Sequence, residues 1–241
     1  MDDRVISSVK PSRVPEQKVI LLGDFGVGKT SLFRRFTNNT FTTSTDRKST
    51  LGLDFYTRSF QIPQQSDVVK IQLWDTGGME RVASITSSYY KFAEAAILVF
   101  DLHNPDTFHS LAQHLIEVAS YAENCKVFLC GNKVDLVDNV HEDSHQQGSR
   151  NSSHNSREYE TVSIRDMEQF CEQTSVITNM YVTSCKTGEG VNEMFEDISK
   201  QIRNASRARY ELAKHSVLQD ELPFQLTDDD EGETQSQGCA C

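Results

Sequence analysis

The first clear pattern along the chain is an apolar run, Lys18-Val19-Ile20-Leu21-Leu22, that breaks into Gly23-Asp24-Phe25-Gly26-Val27-Gly28-Lys29-Thr30-Ser31. The run reads as a buried strand, and Leu32-Phe33-Arg34-Arg35-Phe36 beyond the glycines reads as the start of a helix. Leu53 to Ile62 and Val68 to Trp74, on either side of Pro63-Gln64-Gln65-Ser66-Asp67, read as a hairpin. In its second arm Val69, Ile71 and Leu73 alternate with Lys70 and Gln72, which gives that sheet edge one wetter face. Ala95 to Phe100 and Lys126 to Cys130 are unbroken apolar runs of buried-strand type, and between them Phe108, Leu111, Ala112, Leu115, Ile116 and Ala119 mark one face of a helix. A weaker strand, Asn179 to Thr183, precedes a helix whose apolar face is Val191, Met194, Phe195, Ile198 and Ile202. Strands alternating with helices predict an α/β fold, a mostly parallel sheet covered on both faces with ligands at the carboxyl ends of its strands.

Two segments fall outside this alternation. Asp138 to Glu160 is crowded with Ser, Asn, Gln, His and charge and predicts a disordered surface insertion. Its His141, His145 and His154 are scattered in low-complexity sequence and make a poor metal site, and its Asn151-Ser152-Ser153 glycosylation pattern is idle in a cytosolic protein. The tail from Ser216 passes through Asp228-Asp229-Asp230-Glu231 to Gly238-Cys239-Ala240-Cys241, while residues 1–16 read as a loose arm.

Bulk numbers narrow the class. With 241 residues, 37% of them apolar, one core plus tails is the expected build. A formal charge of −11 disfavours a nucleic-acid binder, which needs a basic stripe. No stretch approaches the roughly 18 apolar residues that cross a bilayer, nor is there a secretory signal pattern, so the body is expected in the cytosol. Cys125, Cys130 and Cys171 then read as small core residues in a reducing compartment.

The glycine loop carries the first chemistry. In the spacing Gly-x4-Gly-Lys-Thr, glycines let backbone N–H groups turn inward, where they and a helix N-terminus hold a polyphosphate. Lys29 has the reach to meet the outer phosphates and Thr30 offers a hydroxyl to Mg²⁺. Trp74-Asp75-Thr76-Gly77-Gly78 closes the strand after the hairpin at the same sheet edge, where Asp75 can hold Mg²⁺ through water and Gly78 admits a backbone N–H to the last phosphate; an ordinary turn is the simpler alternative. Gly131-Asn132-Lys133-Val134-Asp135 and Ser184-Cys185-Lys186 close the later strands. Asp135 can accept paired hydrogen bonds from the N1–H and 2-amino groups of guanine, a pair that adenine lacks, although in isolation it reads as a helix cap.

In this order, Gly-x4-Gly-Lys-Thr, Thr50, Asp75-x-x-Gly78, Asn132-Lys133-x-Asp135 and Ser184-Cys185-Lys186 form a set that resembles the Ras-like small GTPases. Within them Ser49-Thr50-Leu51-Gly52-Leu53-Asp54-Phe55, Lys70-Ile71-Gln72-Leu73-Trp74-Asp75-Thr76 and Ser87-Ser88-Tyr89-Tyr90-Lys91 are similar to Rab signature segments. The resemblance covers roughly residues 17 to 205. It implies a P-loop GTPase fold with a six-stranded, mostly parallel sheet. The G domain would run over 17–210, interrupted by the 138–160 insertion and followed by a flexible acidic tail over 211–241.

It also implies roles. Gly23 and the amides of Gly26, Val27, Gly28, Lys29, Thr30 and Ser31 would surround the phosphates. Phe41 would pack on the base or ribose, Lys133 and Lys186 would lie along the guanine plane, and the Cys185 backbone would meet the guanine oxygen. Asn132 and Ser184 would complete the base loops. Thr50 would join Thr30 and Asp75 around Mg²⁺ in the GTP form only, with Gly78 sensing the same phosphate, so that GTP and GDP give two loop arrangements. Phe55, Trp74 and Tyr89 would form a surface aromatic triad that faces effectors.

The chain departs from the family where hydrolysis is decided. Met79 stands at the position of the water-orienting glutamine, and a thioether holds no water in line with the γ-phosphorus. Phe25 replaces a small residue and would crowd the same water or an incoming arginine. Slow intrinsic hydrolysis is expected, so no intact catalytic residue is assigned. A GTP-occupied scaffold with negligible turnover stays open as the alternative, with an ATPase or nucleotide kinase disfavoured by Asp135. The loop between Phe41 and Thr50 is longer than is usual in Rab proteins, and Gly77 replaces the usual alanine.

Cys239 and Cys241 do not form a Cys-a-a-X box, so the resemblance implies geranylgeranyl groups on both thiols, delivered with a Rab escort protein. The flanking acidic residues would be repelled by anionic lipid. Implied partners are effectors, an exchange factor, a GTPase-activating protein and a GDP-dissociation inhibitor. The protein is expected as a monomer that cycles between cytosol and the cytoplasmic face of intracellular membranes in vesicle transport.

Overall fold

The computed structural model describes residues 14–42, 53–62, 68–76, 87–136 and 161–220. Six strands form one sheet: β1 (Glu16–Leu22), β2 (Asp54–Gln61), β3 (Val68–Asp75), β4 (Ala95–Asp101), β5 (Lys126–Asn132) and β6 (Ile177–Thr183), in the order β2-β3-β1-β4-β5-β6. β2 pairs antiparallel with β3, Asp54 opposite Asp75 and Gln61 opposite Val68, as expected of a hairpin. The other four pairings are parallel. The helices are α1 (Lys29–Asn38), α2 (Ser87–Tyr90), α3 (Pro105–His109), α4 (Leu111–Tyr121), α5 (Ile164–Thr174) and α6 (Val191–Asp220).

β4 is buried at every position and sits in the sheet interior between β1 and β5. Its side chains divide by parity, as the two-residue repeat of a strand requires. Ala95, Ile97 and Val99 join a core with Leu32, Phe33 and Phe36 of α1 and Val191, Met194, Phe195, Ile198 and Ile202 of α6. Ala96, Leu98 and Phe100 join a second core with Tyr89, Tyr90, Leu111, Val118 and Met167 on the opposite face. The chain runs from β1 to the β2–β3 side and returns across β1 to β4, so the carboxyl ends of β1 and β4 flank a switch point, where open α/β sheets bind ligands.

Four points of the expected fold need correction. The apolar helix between β4 and β5 is two helices, because Asn104 caps α3 from its side chain to the Asp106 N–H and Pro105 opens it, before a second start at Leu111. Ala112, Ile116 and Ala119 of the expected face are exposed and lie off the buried one, which is Leu111, His114 and Val118. α5 went unanticipated, although Ser163 and Asp166 form a capping box at its start. β6 also begins earlier than Asn179, at Ile177.

The chain divides into two compact units, Met1–Asn204 and Ala205–Cys241. Within the second, residues 205–220 continue as helix, with Tyr210 and Leu212 exposed. No helix among the described residues is long and apolar enough to cross a membrane. The arm, the hairpin turn, the 138–160 insertion with its histidines and the tail with Cys239 and Cys241 lie wholly or largely outside the described residues.

Candidate functional site

At Gly23 and Gly28 the loop after β1 turns where no other residue fits. Gly23 has φ +135°, and a Cβ there would stand 2.0 Å from the Val99 carbonyl oxygen of β4. Gly28 has φ +107° and occupies the N-cap of α1 without any side-chain cap, so the first N–H groups of the helix open onto the loop. Lys29 is buried, and its ammonium donates to the carbonyls of Gly23 at 2.7 Å and Asp24 at 2.8 Å, arched over the loop. That arrangement places a cation and several backbone donors at the head of one helix, the elements of an anion site.

At the rim of the loop the Thr30 hydroxyl donates to the Asp75 carboxylate at 2.7 Å, which brings the start of α1 and the end of β3 together. Asp75 is 1% exposed. A hydroxyl and a carboxylate are hard oxygen donors and suit Mg²⁺, so both residues fit the ion expected of them. Thr50, Gly77, Gly78 and Met79 lie outside the described residues.

A cleft runs from the loop to the ends of β5 and β6, lined by Gly26, Gly28, Ser31, Phe41, Asn132, Lys133, Asp135, Leu136, Cys185 and Lys186. The two base loops therefore meet the phosphate loop in space as anticipated. Asn132 is the knot: its amide nitrogen donates to the Val27 carbonyl at 2.8 Å, and its oxygen accepts from the Cys185 N–H at 3.3 Å. The Ser184 hydroxyl donates to Asp135 at 2.6 Å and accepts from the N–H groups of Lys186 and Thr187. One carboxylate oxygen of Asp135 is thus oriented by Ser184, and the other lies 3.4 Å from the Lys186 ammonium. Burial pushes the Cys185 thiol up to about 12, so it stays a neutral lining group.

Some residues of the site were missed in the sequence. Leu136 lines the cleft beside Asp135, and Asp101 at the end of β4 takes the Lys133 ammonium at 2.6 Å. Asp101 closes an apolar run as Asp75 does, a signal that was available. Leu136 carries no signal beyond its neighbour.

The expected surface triad is only partly exposed. Phe55 is 53% exposed and stacks on Trp74, ring centroids 4.9 Å apart, with the Lys18 ammonium 4.6 Å from the indole. Tyr89 corrects the expectation: it is 2% exposed, a core residue, because its hydroxyl bonds the Leu21 N–H at 3.2 Å and the carbonyls of Leu21 and Trp74 at 3.1 and 3.0 Å.

Comparison with known proteins agrees with this architecture. Residues 18–204 match the model of the Ras family. The chain is 34% identical over 226 residues to the Ras-related protein RABA1g of Arabidopsis thaliana, covering 92% of each chain. It is 35% identical over 202 residues to RABA1c of the same plant, covering 83% of this chain and 82% of that one. The GTP-binding protein YPT52 of Saccharomyces cerevisiae is 31% identical over 209 residues, 83% of this chain and 85% of its own. A phosphate loop, a base cleft and a six-stranded sheet of this order, together with relatives matched over most of their length, make the chain a small GTPase of the Ras family, in its Rab branch.

Proposed function

We propose that the protein is a GTP- and GDP-regulated switch of membrane traffic that recruits effectors in its GTP form and hydrolyses GTP slowly by itself. The observation that supports this reading is the Asn132 bridge, which ties the glycine loop after β1 to the segment that carries Asp135, both lining one cleft. In this reading the N–H groups from Gly26 to Ser31 and the Lys29 ammonium hold the phosphates. Asp135 accepts from guanine, Phe41 packs on the base or ribose, and Lys133 and Lys186 lie along the guanine plane. Thr30 and Asp75, with Thr50, hold Mg²⁺, which when bound neutralises phosphate charge. The exposed Phe55, stacked on the half-buried Trp74, is the aromatic surface on which a state-dependent partner docks. Cys239 and Cys241 carry the lipid that anchors the chain to intracellular membranes, served by an escort protein and a dissociation inhibitor.

The slow step follows from Met79 and Phe25. Phe25 is 54% exposed on the phosphate loop, which supports its crowding an attacking water or an inserted arginine. The same two residues favour the second reading, a GTP-occupied scaffold with negligible turnover. Partners that supply a glutamine and an arginine in trans would restore inactivation, an arginine finger being worth about 10³ to 10⁵ in rate.

Competition of GTP against ATP on the purified chain tests the base assignment, and equal displacement by ATP overturns it. Single-turnover hydrolysis should accelerate in Met79→Gln and further with Phe25→Ser; identical rates in all three chains would remove the hydrolysis argument. Loss of membrane association in the Cys239→Ser, Cys241→Ser chain checks the anchor.

A further inference from the structure

Arg35 has a role that none of the motifs assigns. It lies in α1, the helix that begins at the phosphate loop, and its guanidinium crosses to the loop after β6. Nε and Nη2 donate to the Cys185 carbonyl at 3.0 and 2.7 Å, and Nη2 also donates to the Lys186 carbonyl at 2.9 Å. Nη1 donates to the Asn39 carbonyl at 3.0 Å, while the Asn39 N–H closes α1 onto the Arg35 carbonyl. The fork is therefore aimed by the end of its own helix.

A trans peptide unit is planar, its C=O and N–H pointing in opposite directions. The Cys185 carbonyl shares a plane with the Lys186 N–H, and the Lys186 carbonyl shares one with the Thr187 N–H. Both N–H groups donate to the Ser184 hydroxyl, at 3.2 and 3.1 Å, and both carbonyls accept from Arg35. Two consecutive planes are held at each edge, by Ser184 on one side and by a charge-assisted fork on the other, so neither can rotate. The Ser184 hydroxyl also donates to Asp135, so the same frame sets the base-reading carboxylate.

We propose that Arg35 is a positioning residue for base recognition, fixing the Cys185–Thr187 backbone against the helix that carries the phosphate ligands. The assignment rests on the guanine reading above. A lysine is a point charge with no planar fork and cannot serve both carbonyls in this geometry.

The test measures release of fluorescent GDP from the Mg²⁺-loaded full chain, in the native form and as Arg35→Ala and Arg35→Lys. Losing the three charge-assisted hydrogen bonds to this loop is expected to speed release by roughly ten- to a hundredfold in Arg35→Ala, with a smaller gain in Arg35→Lys. The second readout uses 6-thioguanosine diphosphate, whose sulfur is a weak acceptor in place of the guanine oxygen. The native chain should release it faster than GDP, and in Arg35→Ala that ratio should fall toward one. An unchanged rate, or equal acceleration of both ligands, would overturn the positioning role. If Arg35→Ala does not fold, Arg35→Lys carries the same comparison at lower amplitude. A native chain that holds neither GDP nor GTP would sink the guanine reading instead, a result distinguishable from failure of Arg35 alone.

Discussion

Asn132 and Val27 are 105 positions apart in sequence and joined by a 2.8 Å hydrogen bond from the Asn132 amide nitrogen to the Val27 carbonyl. The amide oxygen accepts from the Thr183 hydroxyl and the Cys185 N–H, both at 3.3 Å, so one side chain fastens three loops together. Asn132 is 1% exposed, and its removal would leave buried backbone groups without partners. Asn132→Ala is expected to cost about 2–3 kcal/mol of stability and to weaken nucleotide retention. Asn132→Asp should do no better, since an ionised carboxylate has no donor for the Val27 carbonyl. Urea unfolding of the two variants checks both statements.

Gly23 and Gly26 separate strain from crowding. Both have positive φ, but a Cβ at Gly23 meets the Val99 carbonyl oxygen at 2.0 Å, whereas one at Gly26 meets nothing within 4 Å. Gly23→Ala should cost roughly 2–5 kcal/mol and Gly26→Ala about 1 kcal/mol in chemical denaturation. Equal losses would show that backbone strain alone sets the penalty.

Asp135 offers a reversal of selectivity. Ser184 donates to one oxygen of its carboxylate at 2.6 Å, and the group lies in the cleft lining. Asp135→Asn replaces an acceptor by a donor, which suits xanthine, whose second position carries an oxygen where guanine carries an amine. Competition between xanthosine and guanosine diphosphates should swing by at least about tenfold in favour of xanthosine.

The capping box of α5 gives a pH-dependent contribution. Asp166 accepts from the Ser163 hydroxyl and N–H, and those bonds hold its carboxyl below the ordinary value of 3.8. A depressed folded pKa means the contribution is fully present above the unfolded value and is lost as pH falls through the folded one. Ser163→Ala should cost about 1 kcal/mol near neutrality. The gap between the two chains should narrow below roughly pH 4, as read from unfolding midpoints.

The sheet and the loops at its carboxyl edge were legible because their signals are local. An apolar run of strand length ended by a glycine or a carboxylate names both a buried strand and its ligand-bearing carboxyl end, as with Leu22 before Gly23 and Trp74 before Asp75. What stayed hidden depends on who meets whom. Ile116 keeps helical spacing yet faces outward, because Asn104 and Pro105 start a short helix that ends before Leu111. α5 buries Met167 but few other residues along its length, so hydrophobic periodicity passes over it while its cap announces it. Tyr89 looked like a surface aromatic because nothing in a sequence shows two strand carbonyls within reach of its hydroxyl. Arg35 and Cys185 are 150 positions apart, and no spacing rule joins them.

The Tyr89 hydroxyl spans the ends of β1 and β3, touching Leu21 on one and Trp74 on the other. Thr76, just after β3, and Tyr89, in α2, are both buried. One phenolic oxygen thus fastens α2 to the carboxyl ends of two neighbouring strands, so Tyr89→Phe would loosen that corner while leaving the apolar packing of the second core in place.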